Sequence, residues 1–384
     1  MKRLLCTFLT ALSLIFFPLD SLAVSKPAPD DISIDAPSAI LMEKETGEII
    51  YEKDAYSRRS PASVTKLMTM LLAAEAVDSG QVSLDDSVTA SSAAASMGGS
   101  QIWLEEGETM SFGEMLKCVT VVSANDCCVA IAEHLAGSEE AFVKRMNERA
   151  AALGLENTNF MCCSGLSDSD EHYSCAHDLA VIGRELLRHD LIRDYTTLWM
   201  DSIRGGEFTL SNTNKLIYHY DGATGLKTGF TSKAMHCLAA SAIRDGVEYI
   251  AVILGAPSSA ARFESAKTLL NYGFANYTLV SAESLCVLPP VKVQLGSSDC
   301  VEPMLSGGGK ILIEKLSAAK LSCTPLLPEV LSAPVKTGQQ IGTLKVNSGD
   351  TLICELPITA SADVEPLGYF EIVRNILFSL LSPW

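Results

Sequence analysis

The sequence predicts an α+β domain over residues 24–280, followed by a small all-β domain over residues 284–365. Two observations carry the first assignment. Strand-like runs stand at both ends of a helical middle, at 38–42 and 48–51 before it and at 237–243 and 247–255 after it. Strands that bracket helices in this way close into one sheet with the helices layered on it. The last two runs are joined through Arg244-Asp245-Gly246, and Asp-Gly between apolar runs marks a hairpin. The third observation separates the second domain. After residue 284 the helical period disappears, and short β-rich runs alternate with turns such as Ser306-Gly307-Gly308-Gly309.

In chain order, Met1 to Ala23 reads as a secretory signal peptide. Lys2-Arg3 is its basic start, Leu4 to Phe17 its apolar stretch, and Ser21-Leu22-Ala23 its small-residue cleavage site. Residues 24–35, rich in Pro, Asp and Ser, form a lead. Ser38–Met42 and Glu48–Tyr51 turn about Thr46-Gly47-Glu48 as a hairpin. Helices are expected at about 63–79, 111–118, 124–136, 138–153, 176–188 and 259–275. From Tyr369 to Ser382, one polar stripe (Glu371, Arg374, Asn375, Ser379, Ser382) faces an apolar remainder. With the terminal Pro383-Trp384, this suits an in-plane helix at a membrane surface, residues 367–384. The competing reading is a helix docked on the protein's own core.

The net charge of −17 argues against nucleic acid and against electrostatic capture by anionic lipid. Twelve cysteines in an exported chain invite disulfides, but they are scattered, with no C-x-x-C pair and no histidine neighbours suited to zinc. Buried free thiols are the leading expectation, with one or two bridges among the four C-terminal cysteines as the alternative. No metal or organic cofactor is implied.

Three short motifs follow in order: Ser63-Val64-Thr65-Lys66, Ser123-Ala124-Asn125 and Lys227-Thr228-Gly229. Together they supply a nucleophilic hydroxyl, an amine one helical turn away, a hydroxyl–amide pair and a cationic strand. Ser63 opens a long apolar helix, whose first turn has free N–H groups and favours developing negative charge. Decoys exist: Ser317-Ala318-Ala319-Lys320 lies in a β-rich region, and Lys336-Thr337-Gly338 in a Pro/Gly-bounded turn. Ser63 as a helix cap with Lys66 as a surface lysine, and Ser123 and Asn125 as caps, are the bland alternatives.

The chain resembles the low-molecular-mass penicillin-binding proteins, serine-type D-Ala-D-Ala carboxypeptidases. Besides the three motifs, the resemblance includes Ala36-Pro37-Ser38-Ala39-Ile40, Gly165-Leu166, His172-Tyr173-Ser174, Asn212-Thr213-Asn214, Arg262 and Ala333-Pro334-Val335-Lys336. It covers nearly all of residues 30–365. Three departures are Cys162-Cys163-Ser164, Cys175 for a usual threonine, and Thr224 for a usual aspartate.

The resemblance implies a penicillin-binding/serine β-lactamase-like catalytic domain, with peptidoglycan stem peptides and β-lactams as ligands. Ser63 would attack, with Lys66 as base, kept partly neutral by burial and by Lys227, and Ser123 would pass a proton to the leaving group. Asn125 would hold the peptide amide, and the N–H groups of Ser63 and Phe230 the oxyanion. Lys227, Thr228 and Gly229 would bind the terminal carboxylate strand, with Arg262 assisting. The expected location is the outer face of the cytoplasmic membrane or the cell wall. A class A-like β-lactamase would need a Glu-x-x-x-Asn loop that Glu156-Asn157-Thr158-Asn159 does not supply. A wall-binding regulatory protein would not need every catalytic side chain.

Overall fold

The structure, a computed structural model, describes residues 32–381 apart from Ala319, so the predicted signal peptide and Pro383-Trp384 lie outside the described residues. Its centre is an antiparallel five-stranded sheet. The strands are β1 (Ser38–Glu43), β2 (Ile49–Lys53), β3 (Ala223–Thr231), β4 (Met235–Arg244) and β5 (Val247–Ala256). Their spatial order is β2-β1-β5-β4-β3, with Leu41 opposite Ala251 and Lys227 opposite Ala239. The chain leaves the sheet after β2, builds the helical middle and returns at β3, which becomes the free edge.

Both faces of this sheet are covered, which is why β5 reads as an unbroken apolar run. Alternate residues of a strand face opposite sides. Ile250, Val252 and Leu254 pack into the helical cluster, while Tyr249, Ala251 and Ile253 pack under the long helix Ser259–Asn276. The cluster comprises α1 (Lys66–Asp78), α2 (Phe112–Val121), α3 (Asn125–Ala136), α4 (Glu139–Ala152) and α5 (Ala176–Leu186). α1 is apolar all round because it is buried all round, from Leu67 to Ala76. Ser111, Ser138 and Cys175 cap α2, α4 and α5 by accepting from the N–H groups of Glu114, Ala141 and Asp178. Cys175 thus does the work of the threonine it replaces.

The helix expected from residue 63 begins later. Ala62–Thr65 is a 3₁₀ turn, and the α-helix proper starts at Lys66. The helix Asp190–Thr196 and the hairpin Met200–Ile203/Phe208–Ser211 had no clear sequence signal, because both are short and half exposed.

The strand Tyr277–Ser281 pairs with Lys310–Glu314, and a four-stranded sheet centres on Gln340–Ser348 and Thr351–Ala360. These enclose a separate core of Val291, Val293, Leu305, Ile313, Leu344, Val346 and Ile358. Both decoy motifs lie here. Ser317 sits in the one-turn helix Lys315–Ala318. Lys336 pairs at the surface with Glu365 and Asp363, and Thr337 bonds Asp363. All eleven cysteines of the described residues are free thiols, most of them buried.

Candidate active site

Lys66 is fully buried, and its Nζ meets three oxygens: Ser63 Oγ at 3.1 Å, Asn125 Oδ1 at 2.6 Å and the Ser164 carbonyl at 2.6 Å. The two carbonyl-type oxygens can only accept. In its neutral form the amine has two N–H bonds and one lone pair, so these oxygens would take both N–H bonds and leave the lone pair for the Ser63 hydroxyl. Burial pushes the Lys66 pKa down, while the Cys128, Cys163 and Cys162 thiols and Asp126 act in the opposite sense. The base is therefore oriented by its neighbours before any ligand arrives.

The Ser63 turn is wedged between two close backbone approaches. A Cβ at Gly165 (φ +77°) would stand 1.9 Å from the Ala62 carbonyl oxygen, and one at Gly229 would stand 3.0 Å from Ser63 N. Only glycine allows these contacts. They press the 164–166 segment and the edge strand β3 against the turn that carries the nucleophile.

His172 fixes the same turn from beneath. Its Nδ1 accepts from the Met161 N–H at 3.0 Å, so the ring proton is on Nε2, 2.8 Å from Thr65 Oγ1. Burial, and then the charge of Lys233, lower its pKa from 6.5 to about 4. In the unfolded chain this ring would take a proton at higher pH than in the folded protein. Stability is thus expected to fall as pH drops from about 6.5 towards about 4, by up to about 3 kcal/mol. Urea unfolding at neutral pH and near pH 4 checks this, since His172→Gln should lose the increment.

Neither residue of the second motif caps a helix. The N-cap of α3 is Ala124, with no side-chain cap bond. Ser123 adopts φ +66°, and its Oγ is buried without a hydrogen-bond partner among the described residues. Asn125 is held by the Ser100 carbonyl at its N–H and the Gly98 carbonyl at Nδ2, both at 2.7 Å. Asp126 Oδ2 takes the N–H groups of Ile102 and Leu104, fastening that loop to α3.

On β3, Lys227 is 1% exposed, and its Nζ donates to the Thr228 carbonyl at 3.2 Å. Burial, then the charges of Lys66 and Arg262, push its pKa well below the ordinary lysine value. The repulsion between the two buried amines is mutual, so each disfavours charge on the other. Thr228 Oγ1 donates to Thr213 Oγ1 at 2.8 Å. Arg262 donates Nη1 to the carbonyls of Gly229 at 2.9 Å and Cys237 at 3.2 Å. These bonds tie Arg262 to the backbone of β3 and β4. Phe230 is exposed at the cleft edge, its ring 4.5 Å from that of His236. Thr224 is buried, bonded to Ser241 and Glu248, with Arg193 closing the pair. Its difference from the usual aspartate is absorbed in this network beneath the strand.

Sequence reasoning named Ser164 and Thr213 only within matching or departing stretches and gave neither a role in the site. A backbone carbonyl leaves no side-chain signal, and Thr213 reaches the site only through the fold. The structure nevertheless joins all three motifs around one cleft and leaves both decoys outside it.

The sequence profile of D-alanyl-D-alanine carboxypeptidases matches residues 22–258, and that of the penicillin-binding protein 5 C-terminal domain matches residues 274–366. D-alanyl-D-alanine carboxypeptidase DacF of Bacillus subtilis is 38% identical over 385 residues, covering 98% of both chains. DacA of Escherichia coli K12 is 30% identical, covering 100% of this chain and 97% of its own. The crystal structure of penicillin-binding protein 5 from Haemophilus influenzae superposes with a TM-score of 0.78 at 29% identity, covering 88% of this chain and 100% of that one. With a matching profile over most of its length and a homologous second domain, the chain belongs to the D-alanyl-D-alanine carboxypeptidase family of low-molecular-mass penicillin-binding proteins.

Proposed function

We propose that the protein removes the terminal D-Ala from peptidoglycan pentapeptide stems through an ester on Ser63, and that β-lactams acylate the same hydroxyl. The observation that supports these roles best is the Lys66 amine, held by two acceptors with its third direction towards Ser63 Oγ. Ser63 Oγ attacks the penultimate D-Ala carbonyl as its proton passes to Lys66 Nζ. The oxyanion sits between the N–H groups of Ser63 and Phe230, each worth about 3 kcal/mol of barrier. Ser123 Oγ, buried and without a partner among the described residues, relays that proton from Lys66 Nζ to the departing amine and so leaves Lys66 neutral, and Asn125 Nδ2 or Oδ1 aligns the peptide. Lys227 and Thr228 hold the terminal carboxylate, and Gly229 admits the substrate backbone alongside β3. Water then cleaves the ester with Lys66 again as base. Incubating purified protein with a pentapeptide stem and identifying released D-Ala tests this reading, and a stem left intact would defeat it. Similarity along the whole chain, including the second domain, disfavours a β-lactamase.

The proposed domains are a catalytic unit over 24–280 and a β-rich spacer over 284–365, behind a signal peptide at 1–23 that exports the chain. The final helix, Tyr369–Leu381, supports membrane attachment: Tyr369 is 76% and Phe370 85% exposed, with Leu377 also in solvent. Among the described residues, no helix is long and apolar enough to cross a membrane, which leaves an in-plane contact as the proposed mode. Deleting Leu367–Trp384 is expected to release the mature enzyme from membranes while hydrolysis of a soluble peptide stays intact. With one glutamate and one arginine on the helix, attachment should depend little on salt. Fractionation at low and high salt checks both points, and a full-length enzyme that is already soluble would refute them.

A further inference from the structure

We propose that two aromatic pairs along the hairpin of residues 200–211 form a ridge that binds the glycan strand of peptidoglycan beside the cleft. Trp103 lies edge-on to Phe208 with ring centroids 5.8 Å apart, and Trp199 is tilted against Tyr218 at 5.3 Å. Trp103 is 63% exposed and Tyr218 66%. Clustered rings left in water mark interaction surfaces more often than scattered ones do.

The first pair is held rigidly. Trp103 has φ +55°, which bulky residues rarely adopt, so the fold maintains a costly conformation to keep this ring in solvent. Asp126 takes the N–H groups on either side of it, and Arg204, from the hairpin, donates to the Ile102 carbonyl at 2.9 Å. Glu108 pairs with the same guanidinium. The loop and the hairpin therefore move as one body.

Hydrogen bonds tie the segments that carry both ring pairs to residues of the site. The Gly98 and Ser100 carbonyls of the Trp103 loop hold Asn125. Ahead of Tyr218, Thr213 touches Thr228, and Asn214 donates Nδ2 to the Gly225 carbonyl at 2.7 Å. The occupant follows from the substrate chemistry proposed above, on which this inference rests. A stem peptide hangs from a chain of pyranose rings, each with an apolar C–H face and a rim of hydroxyls. Flat, amphipathic Trp and Tyr rings match such faces at low conformational cost. A stem-bearing glycan, whose lactyl carboxyls are tied up as amides, adds no charge of its own to repel a protein of net charge −17.

The test uses the full-length protein with Trp103→Leu, Tyr218→Ala, the double variant and the conservative Tyr218→Phe. Binding is read by cosedimentation with chitin, an insoluble and uncharged chain of β-1,4-linked N-acetylglucosamine rings, and turnover on a free pentapeptide and on polymeric peptidoglycan. The double variant should keep kcat on the free peptide within about twofold, raise KM on the polymer about tenfold and lose cosedimentation, while Tyr218→Phe retains it. Equal losses on both substrates, an unchanged polymer KM, or wild-type protein that fails to cosediment with chitin would overturn the proposal. So would wild-type self-association abolished by the double variant, which would make the ridge a contact between copies. If wild-type protein fails on the free pentapeptide, the hydrolase reading fails instead, and glycan cosedimentation still decides the ridge.

Discussion

Ser63→Ala is expected to abolish covalent labelling by penicillin and to lower D-Ala release by at least about 10⁴-fold, because the covalent route disappears with its nucleophile. The substitution removes one oxygen and leaves the turn's backbone, the Gly165 and Gly229 contacts and the Thr65–His172 bond in place. Folding should therefore persist, with an unchanged thermal transition as the control. Peptide mapping of labelled wild-type protein should place the adduct on Ser63 alone. Ser317 is a weak rival, since its motif forms one helical turn in the β-rich domain, far from the cleft's buried amines. A label on Ser317 or Ser123, or one that survives Ser63→Ala, would sink the assignment.

Lys227→Ala should cost about 10²- to 10³-fold in kcat/KM for a carboxylate-bearing peptide, whereas Lys336→Ala should change it by less than about twofold. The first lysine is buried on the strand that flanks Ser63; the second is an exposed partner of two surface carboxylates. The depressed pKa of Lys227 adds a pH signature. Only its protonated form attracts a carboxylate, so substrate affinity is present at low pH and fades as pH rises through the free-site value. That fading should set in below the ordinary lysine range, and Lys227→Ala should remove it. Steady-state kinetics across neutral to alkaline pH decides the matter. Comparable losses from the two alanine substitutions would show that the wrong copy of the motif had been chosen.

The sequence by itself determined the α+β class, the two bracketing strand pairs, the major helices and the identity of the three motifs. Each rests on local chemistry: apolar period, Asp-Gly punctuation, and a serine and lysine one turn apart. It also separated Lys227 from Lys336, because strand and turn contexts differ within a few residues. Tertiary structure decided what local chemistry does not encode. The bland readings failed only there: Ser123 and Asn125 look like caps in sequence but cap nothing, because the loop of residues 98–104 supplies Asn125 with its acceptors. Arg262 meets β3 and β4 through the backbone carbonyls of Gly229 and Cys237, contacts that its place in the sequence does not announce. The orientation of Lys66 was set by the Ser164 carbonyl, 98 residues away and silent in any side-chain pattern. Residue types and spacing announce which groups can react. Which of them meet, and with how much water excluded, depends on contacts between segments distant in the chain.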